Sequence, residues 1–186
     1  MLNLPFSIKN LRGSAWFLTG LLLAFSTFFF SGCMKDDSNL AELDKQQEEA
    51  YFRQLATDTL IIKQHLAEKN ITNAKRTKSG IFYVEQTVGT GVQPTANQSV
   101  RTHYRLFNLK GDELQSSYSG NTYNFILGDP NGGIYGYREG ASLLKVGGKS
   151  RFYLPSGLAY GPSGQPQGNI AANTILVFEI ELLEAR

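Results

Sequence analysis

The sequence has a single cysteine, Cys33, so no disulfide can form within one chain. It has two histidines, His65 and His103, isolated from each other and from any cysteine or paired carboxylate at ligand spacing. That leaves no pattern for a metal centre, and no cofactor is expected. No long run of one charge occurs. Lys9 and Arg12 lie in an N-terminal stretch without acids and account for the formal net charge of +2. Beyond residue 32 the basic and acidic side chains balance at 16 each. A balanced chain has no electrostatic footprint for nucleic acid, so none is expected as a partner. Gly89-Thr90-Gly91 follows a strand-like run but precedes no helix pattern, which argues against a dinucleotide loop. Neither Ser156-Gly157 nor Ser163-Gly164 makes a nucleophile elbow. What is present is globular composition, 41% hydrophobic and 18% charged, with room for one ordinary domain plus extra segments.

The extra segments come first. Lys9 and Arg12 precede a largely apolar stretch from Ala15 to Phe30, followed by Ser31-Gly32-Cys33. A basic start, an apolar run of this length and small residues before a cut form a secretory signal. The run falls a little short of the roughly 20 apolar residues that span a bilayer as a helix. Phe30-Ser31-Gly32-Cys33 resembles a bacterial lipobox, with Phe30 where Leu is more usual. The resemblance implies cleavage before Cys33 and lipidation of that cysteine. Met34-Lys35-Asp36-Asp37 is similar to an export signal that places lipoproteins on the cell surface. The expected location is therefore the outer membrane, lipid-anchored, on the periplasmic or cell-surface face.

Residues 39–69 read as helix. Leu40, Leu43, Ala50, Tyr51 and Leu55 recur at roughly helical spacing among Glu, Lys and Gln. Thr57-Asp58-Thr59 reads as the cap of a second segment whose apolar face is Leu60, Ile61, Ile62 and Leu66, closed by Asn70. The stripe is thin and breaks at Gln46-Gln47. That favours a spacer over the alternative of a homodimer through 39–69. From Gly80 the texture changes to short strands separated by turns: Ile81–Val88, Ser99–Leu109, Thr122–Leu127, Lys149–Pro155 and Thr174–Glu184. In the last, Leu176, Phe178, Ile180 and Leu182 share a face while Glu179 and Glu181 are expected to point to water. Tyr137–Val146 is the one convincing helix, ended by Gly147-Gly148. The expected fold class is α+β, an antiparallel sheet of five to six strands packed on one short helix. The expected division is 1–32 signal peptide, 33–38 lipidated tether, 39–79 helical spacer and linker, and 80–186 globular domain.

Five motifs carry a family resemblance. They are Val100-Arg-Thr-His-Tyr104, Tyr123-Asn-Phe-Ile-Leu-Gly128, Leu143-Leu-Lys-Val-Gly-Gly148, Leu158-Ala-Tyr-Gly161 and Leu176-Val-Phe-Glu-Ile-Glu-Leu-Leu183. In this order and spacing, Ser79 to Leu183 resembles the FKBP-type peptidyl-prolyl isomerase domain. The resemblance implies a curved sheet wrapped around the short helix and rotation of X-Pro bonds in proline-containing polypeptides. It implies a pocket lined by Tyr104, Tyr123, Ile134, Tyr137, Tyr160, Ile170 and Phe178. Tyr137 would form its floor, where the family commonly has Trp. Tyr160 and the Ile134 N–H would donate to substrate carbonyls, and Phe178 and Tyr104 would pack on the proline ring. Gln115 and Leu114 complete the candidate site as departures. The family usually has Phe-Asp-Ser-Ser where this chain has Leu114-Gln115-Ser116-Ser117. The aspartate is assigned a role in polarising the substrate carbonyl and organising Tyr104. Gln115 keeps hydrogen-bonding capacity without the charge, and Leu114 keeps apolar contact without an aromatic wall. The alternative to an isomerase is therefore a catalytically weak peptide- or partner-binding module on the same fold.

Overall fold

The computed structural model describes residues 36–186. The expected signal peptide, Cys33 and most of the tether lie outside the described residues. The chain divides into two units after Gln47. In the first, residues 36–47 are the start of the long helix α1 (Asp36–Glu68), with exposed side chains from Asn39 onward.

The rest of α1 belongs to the second unit and is not a free spacer. No break occurs at Thr57-Asp58-Thr59; the helix runs through it to Glu68. Asp58 is 1% exposed and Ile62 is fully buried. Tyr51, Leu55, Asp58, Ile62 and Leu66 recur at helical spacing on the face that meets the sheet domain. Leu60 and Ile61, expected on that face, are exposed instead. Asn70 ends the helix with φ of 54°, and the Ile71 N–H donates back to the Leu66 carbonyl at 2.8 Å.

Seven antiparallel strands follow: β1 (Lys75–Arg76), β2 (Phe82–Thr87), β3 (Ser99–Asn108), β4 (Glu113–Ser116), β5 (Tyr123–Ile126), β6 (Lys149–Leu154) and β7 (Leu176–Ala185). Their order across the sheet is β1-β2-β6-β7-β3-β4, and β5 also pairs with β3. The strands beyond the expected count are short. β1 lies in the polar linker, and β4 is the return arm of the hairpin after Lys110-Gly111-Asp112. β1 has two residues, too few to alternate, and β4 carries a single apolar side chain, Leu114, so no apolar alternation marks it. Helix α2 (Tyr135–Ser142) is shorter than the sequence pattern predicts. Gly140 lets it approach the sheet, because a Cβ there would stand 3.3 Å from both the Phe152 ring and Ile180.

Two cores result. The inner one joins α2 to the face bearing Val100, Leu106, Phe152, Leu154, Phe178 and Ile180. Alternation then puts Tyr153 and Val177 on the outer face. There Ile62 and Leu66 of α1 cover them together with Phe82 and Ile175. This second layer corrects the expectation for Glu179. The residue does point outward, but it is buried at 8% exposure and pairs with Arg151 at 2.9 Å and Lys149 at 3.8 Å. Glu181 remains half-exposed and accepts from the Tyr118 hydroxyl.

Candidate functional site

Three parts of the fold converge on one cavity of about 210 Å³. It is lined by Tyr104, Gln115, Tyr123, Gly133, Ile134, Tyr137, Tyr160, Gln165 and Phe178. The sheet supplies Tyr104 on β3, Gln115 on β4, Tyr123 on β5 and Phe178 on β7. Ile134 caps the N-terminus of α2 and Tyr137 lies in its first turn. Tyr160 and Gln165 come from the 155–173 loop.

Tyr137 is the buried centre. The rings of Tyr104 and Tyr123 lie 5.6 Å from it by centroid and Phe178 lies 5.2 Å away, all edge-on. Such geometry sets the positive edge of one ring against the negative face of the next. A phenol this deep needs a partner, and Thr102 provides it at 2.6 Å. Thr102 donates its own proton to the Tyr123 carbonyl at 3.1 Å, so the Tyr137 hydroxyl is the donor in the pair. Burial pushes the Tyr137 phenol well above its ordinary range, against the opposing bond to Thr102.

The wall and rim remain polar and uncommitted. Among the described residues, no protein hydrogen bond engages the hydroxyls of Tyr104, Tyr123 or Tyr160, the Gln115 amide or the Ile134 N–H. Tyr104 is raised by burial and then by Tyr123 and Tyr160; Tyr160 is raised by burial and then by Tyr123. Both hydroxyls therefore stay protonated, as donors, through the neutral range. Tyr104 itself is clamped by Ser117, whose hydroxyl accepts from the Tyr104 N–H at 2.8 Å. Gly133, with φ of 95°, leaves room beside the Tyr123 hydroxyl, which a Cβ there would approach to 3.3 Å.

Tyr104, Gln115, Tyr123, Ile134, Tyr137, Tyr160 and Phe178, singled out in the sequence, thus share one cavity. Ile170 and Leu114 do not line it. Ile170 is buried in the inner core and pairs with Gln165 through two backbone bonds, at 2.8 and 3.0 Å. Leu114 packs on that core from β4. The sequence reading missed Gln165, Gly133 and Thr102. For Thr102 a signal existed, since it alternates with Val100 and Tyr104 on one strand face.

The cavity can hold a small apolar ring against aromatic faces and offer neutral donors to carbonyl oxygens around it. Among the described residues, no three His, Cys, Asp or Glu side chains cluster as a metal site, and no helix is long and apolar enough to cross a membrane.

Comparison with known proteins agrees with this fold. A crystal structure of FkpA from Escherichia coli superposes with a TM-score of 0.59 at 25% identity, over 91% of this chain and 80% of that one. FkpA of Aeromonas hydrophila, described as an FKBP-type peptidyl-prolyl cis-trans isomerase, is 43% identical over 110 residues. The match covers 59% of this chain and 39% of that one. FkpA of Buchnera aphidicola subsp. Schizaphis graminum is 31% identical over 154 residues, 82% of this chain and 57% of the relative. The chain thus spans roughly two fifths to three fifths of these relatives. The family model for FKBP-type peptidyl-prolyl cis-trans isomerases matches residues 91–183, half of the chain and every strand of the cavity. On that match the chain belongs to the FKBP-type peptidyl-prolyl cis-trans isomerase family.

Proposed function

We propose that the protein is a prolyl isomerase of the cell envelope, held to a membrane by lipid on Cys33 and acting on proline-containing segments of exported proteins. The observation that carries the reading is the cavity: one apolar, aromatic-walled space with unengaged neutral donors at its rim.

The chemistry asks little of the protein. Amide resonance sets the rotational barrier at about 18–20 kcal/mol. Uncatalysed X-Pro exchange takes roughly tens to hundreds of seconds. Twisting the bond breaks resonance and makes the amide less polar, so a dry pocket disfavours the planar ground state relative to the twisted one. In this reading the proline ring enters between Tyr104 and Phe178 and rests on Tyr137. The Tyr160 hydroxyl and the Ile134 N–H hold the flanking carbonyls while the bond turns. Gln115 offers its amide as a neutral hydrogen-bonding group in place of a carboxylate. Keeping the pocket free of formal charge also avoids burying an ion beside an apolar ring.

Two experiments test the placement and role. Catalytic amounts of the full chain should accelerate the refolding of a protein whose slow phase is a prolyl isomerisation; an unchanged slow phase argues against the folding role. Radiolabelled fatty acid should be incorporated by cells making the wild-type chain and lost in Cys33→Ser. Equal labelling of both removes the lipid anchor from the account.

A further inference from the structure

The Tyr160 loop is gripped from outside by a helix that contributes nothing to the cavity. Asp58, at the centre of the buried face of α1, lies beside the strand-to-loop junction that carries Tyr160. Its Oδ2 accepts from the Ser156 N–H at 2.7 Å and from the Ser156 hydroxyl at 2.6 Å. Its Oδ1 accepts from the Gln54 amide at 2.8 Å, so the carboxylate is held from both ends. Ser156 is fully buried and opens a short 3-10 turn, Ser156–Leu158, for which Pro155 supplies no side-chain cap. Asp58 performs that capping from 98 residues away in sequence. Two turns earlier on α1, the Tyr51 ring lies against Gly157, where a Cβ would stand 2.6 Å from it.

The same segment is fixed on its other side. Gly136 of α2 packs so closely that a Cβ would stand 2.5 Å from Leu154 and 3.0 Å from the Leu158 carbonyl. Between Ser156 and the tyrosine the chain is tied by its own backbone bonds, the Leu158 N–H donating to the Pro155 carbonyl at 2.9 Å. The Ala159 N–H donates to the Ser156 carbonyl at 2.9 Å, and Gly161, with φ of 56°, turns the chain away immediately after Tyr160. A carboxylate with several charge-assisted bonds at the base of a four-residue lever sets where the phenol at its end stands. Buried groups of this kind tolerate little displacement, because an unmet N–H has no water to turn to.

The geometry points to Asp58 as a positioning residue for the isomerase reaction: from α1 it fixes the Ser156 end of the loop and thereby the placement of the Tyr160 hydroxyl. The inference rests on the isomerase reading. It also gives α1 a role in turnover, beyond carrying the domain.

The test is a double-mutant cycle on the full chain, with kcat and KM measured on a proline test peptide and each variant's melting transition recorded. Asp58→Ala should lower kcat by about threefold, no more than Tyr160→Phe does, while KM changes little, because a misplaced donor is lost mainly in the transition state. Asp58→Asn, which keeps one acceptor for the Ser156 N–H, should recover most of that loss. In a Tyr160→Phe background Asp58→Ala should cost nothing further, since the group it positions is gone. If Asp58→Ala does not fold, Ser156→Ala, which removes the hydroxyl that donates to Asp58, takes its place in the cycle. Losses that multiply in the double variant overturn the inference and leave the isomerase reading standing. A folded wild-type chain that does not accelerate the reaction overturns the isomerase reading, and the inference with it.

Discussion

The Tyr137 hydroxyl donates a 2.6 Å hydrogen bond to the fully buried Thr102, and this pair holds the floor of the cavity in place. Thr102→Val keeps the shape and removes the acceptor, stranding a buried phenol. It should cost about 1–3 kcal/mol, read as a lower denaturant midpoint at unchanged m. Tyr137→Phe leaves Thr102 bonded to the Tyr123 carbonyl and should cost less, about 0.5–1.5 kcal/mol. The reverse ranking contradicts the assignment of donor and acceptor.

Tyr160→Phe removes one donor from the rim and nothing from the core. Turnover of a proline peptide should fall about three- to tenfold, the worth of one neutral hydrogen bond. The melting temperature should stay the same. A drop in melting temperature with unchanged turnover puts Tyr160 in the structure and outside the reaction.

Titration follows from burial. Tyr104, Tyr137 and Tyr160 are all raised above the ordinary 10.0, so the folded state keeps protons that the unfolded chain releases. The associated stability is fully present below pH 10 and is lost as pH rises above it. Tyr137, the most buried, should contribute a slope of about 1.4 kcal/mol per pH unit there. Urea melts at pH 9, 10 and 11 measure it, and Tyr137→Phe should flatten the fall. Turnover, resting on neutral donors, should stay level from about pH 6 to 9.

Helix α1 is a structural layer of the second unit. Ile62 is fully buried against Phe82, Tyr153, Ile175 and Val177. Ile62→Ala should therefore cost about 2–4 kcal/mol. Leu60→Ala on the exposed side should be within about 0.5 kcal/mol of wild type. Equal effects at the two positions restore the free-spacer reading.

That contrast shows where the sequence was legible. Tyr123, Phe125 and Leu127 alternate clearly, so the strand and its inward face could be read directly. In α1, apolar residues stand on both sides: Leu60 and Ile61 face out, while Ile62 and Leu66 face the sheet. Periodicity cannot rank those faces when the partner surface is formed by outward residues of other strands, Tyr153 and Val177. Asp58 misled for a related reason. An aspartate between two threonines has the composition of a helix cap, and only the fold reveals that the N–H it caps belongs to Ser156. Glu179 looked solvent-facing by alternation because a second covered face was not anticipated. Tyr104, Tyr123, Tyr160 and Phe178 were legible because they sit within the five family motifs, and Gln115, Ile134 and Tyr137 because the resemblance runs on between those motifs. Gln165 and Gly133 were not, since loops without periodicity carry no such signal.

Gln115→Asp probes the most conspicuous departure in the cavity. If uncharged hydrogen bonding suffices there, the substitution should change turnover by less than about tenfold. A much larger gain from a near-zero baseline assigns the wild-type pocket to binding without catalysis.

The central claim is tested most directly by the cis-to-trans rate of a Leu-Pro or Phe-Pro test peptide in the presence of the purified full chain. The account predicts acceleration proportional to protein concentration and reduced by Tyr160→Phe. An unchanged rate with folded, monodisperse protein contradicts it.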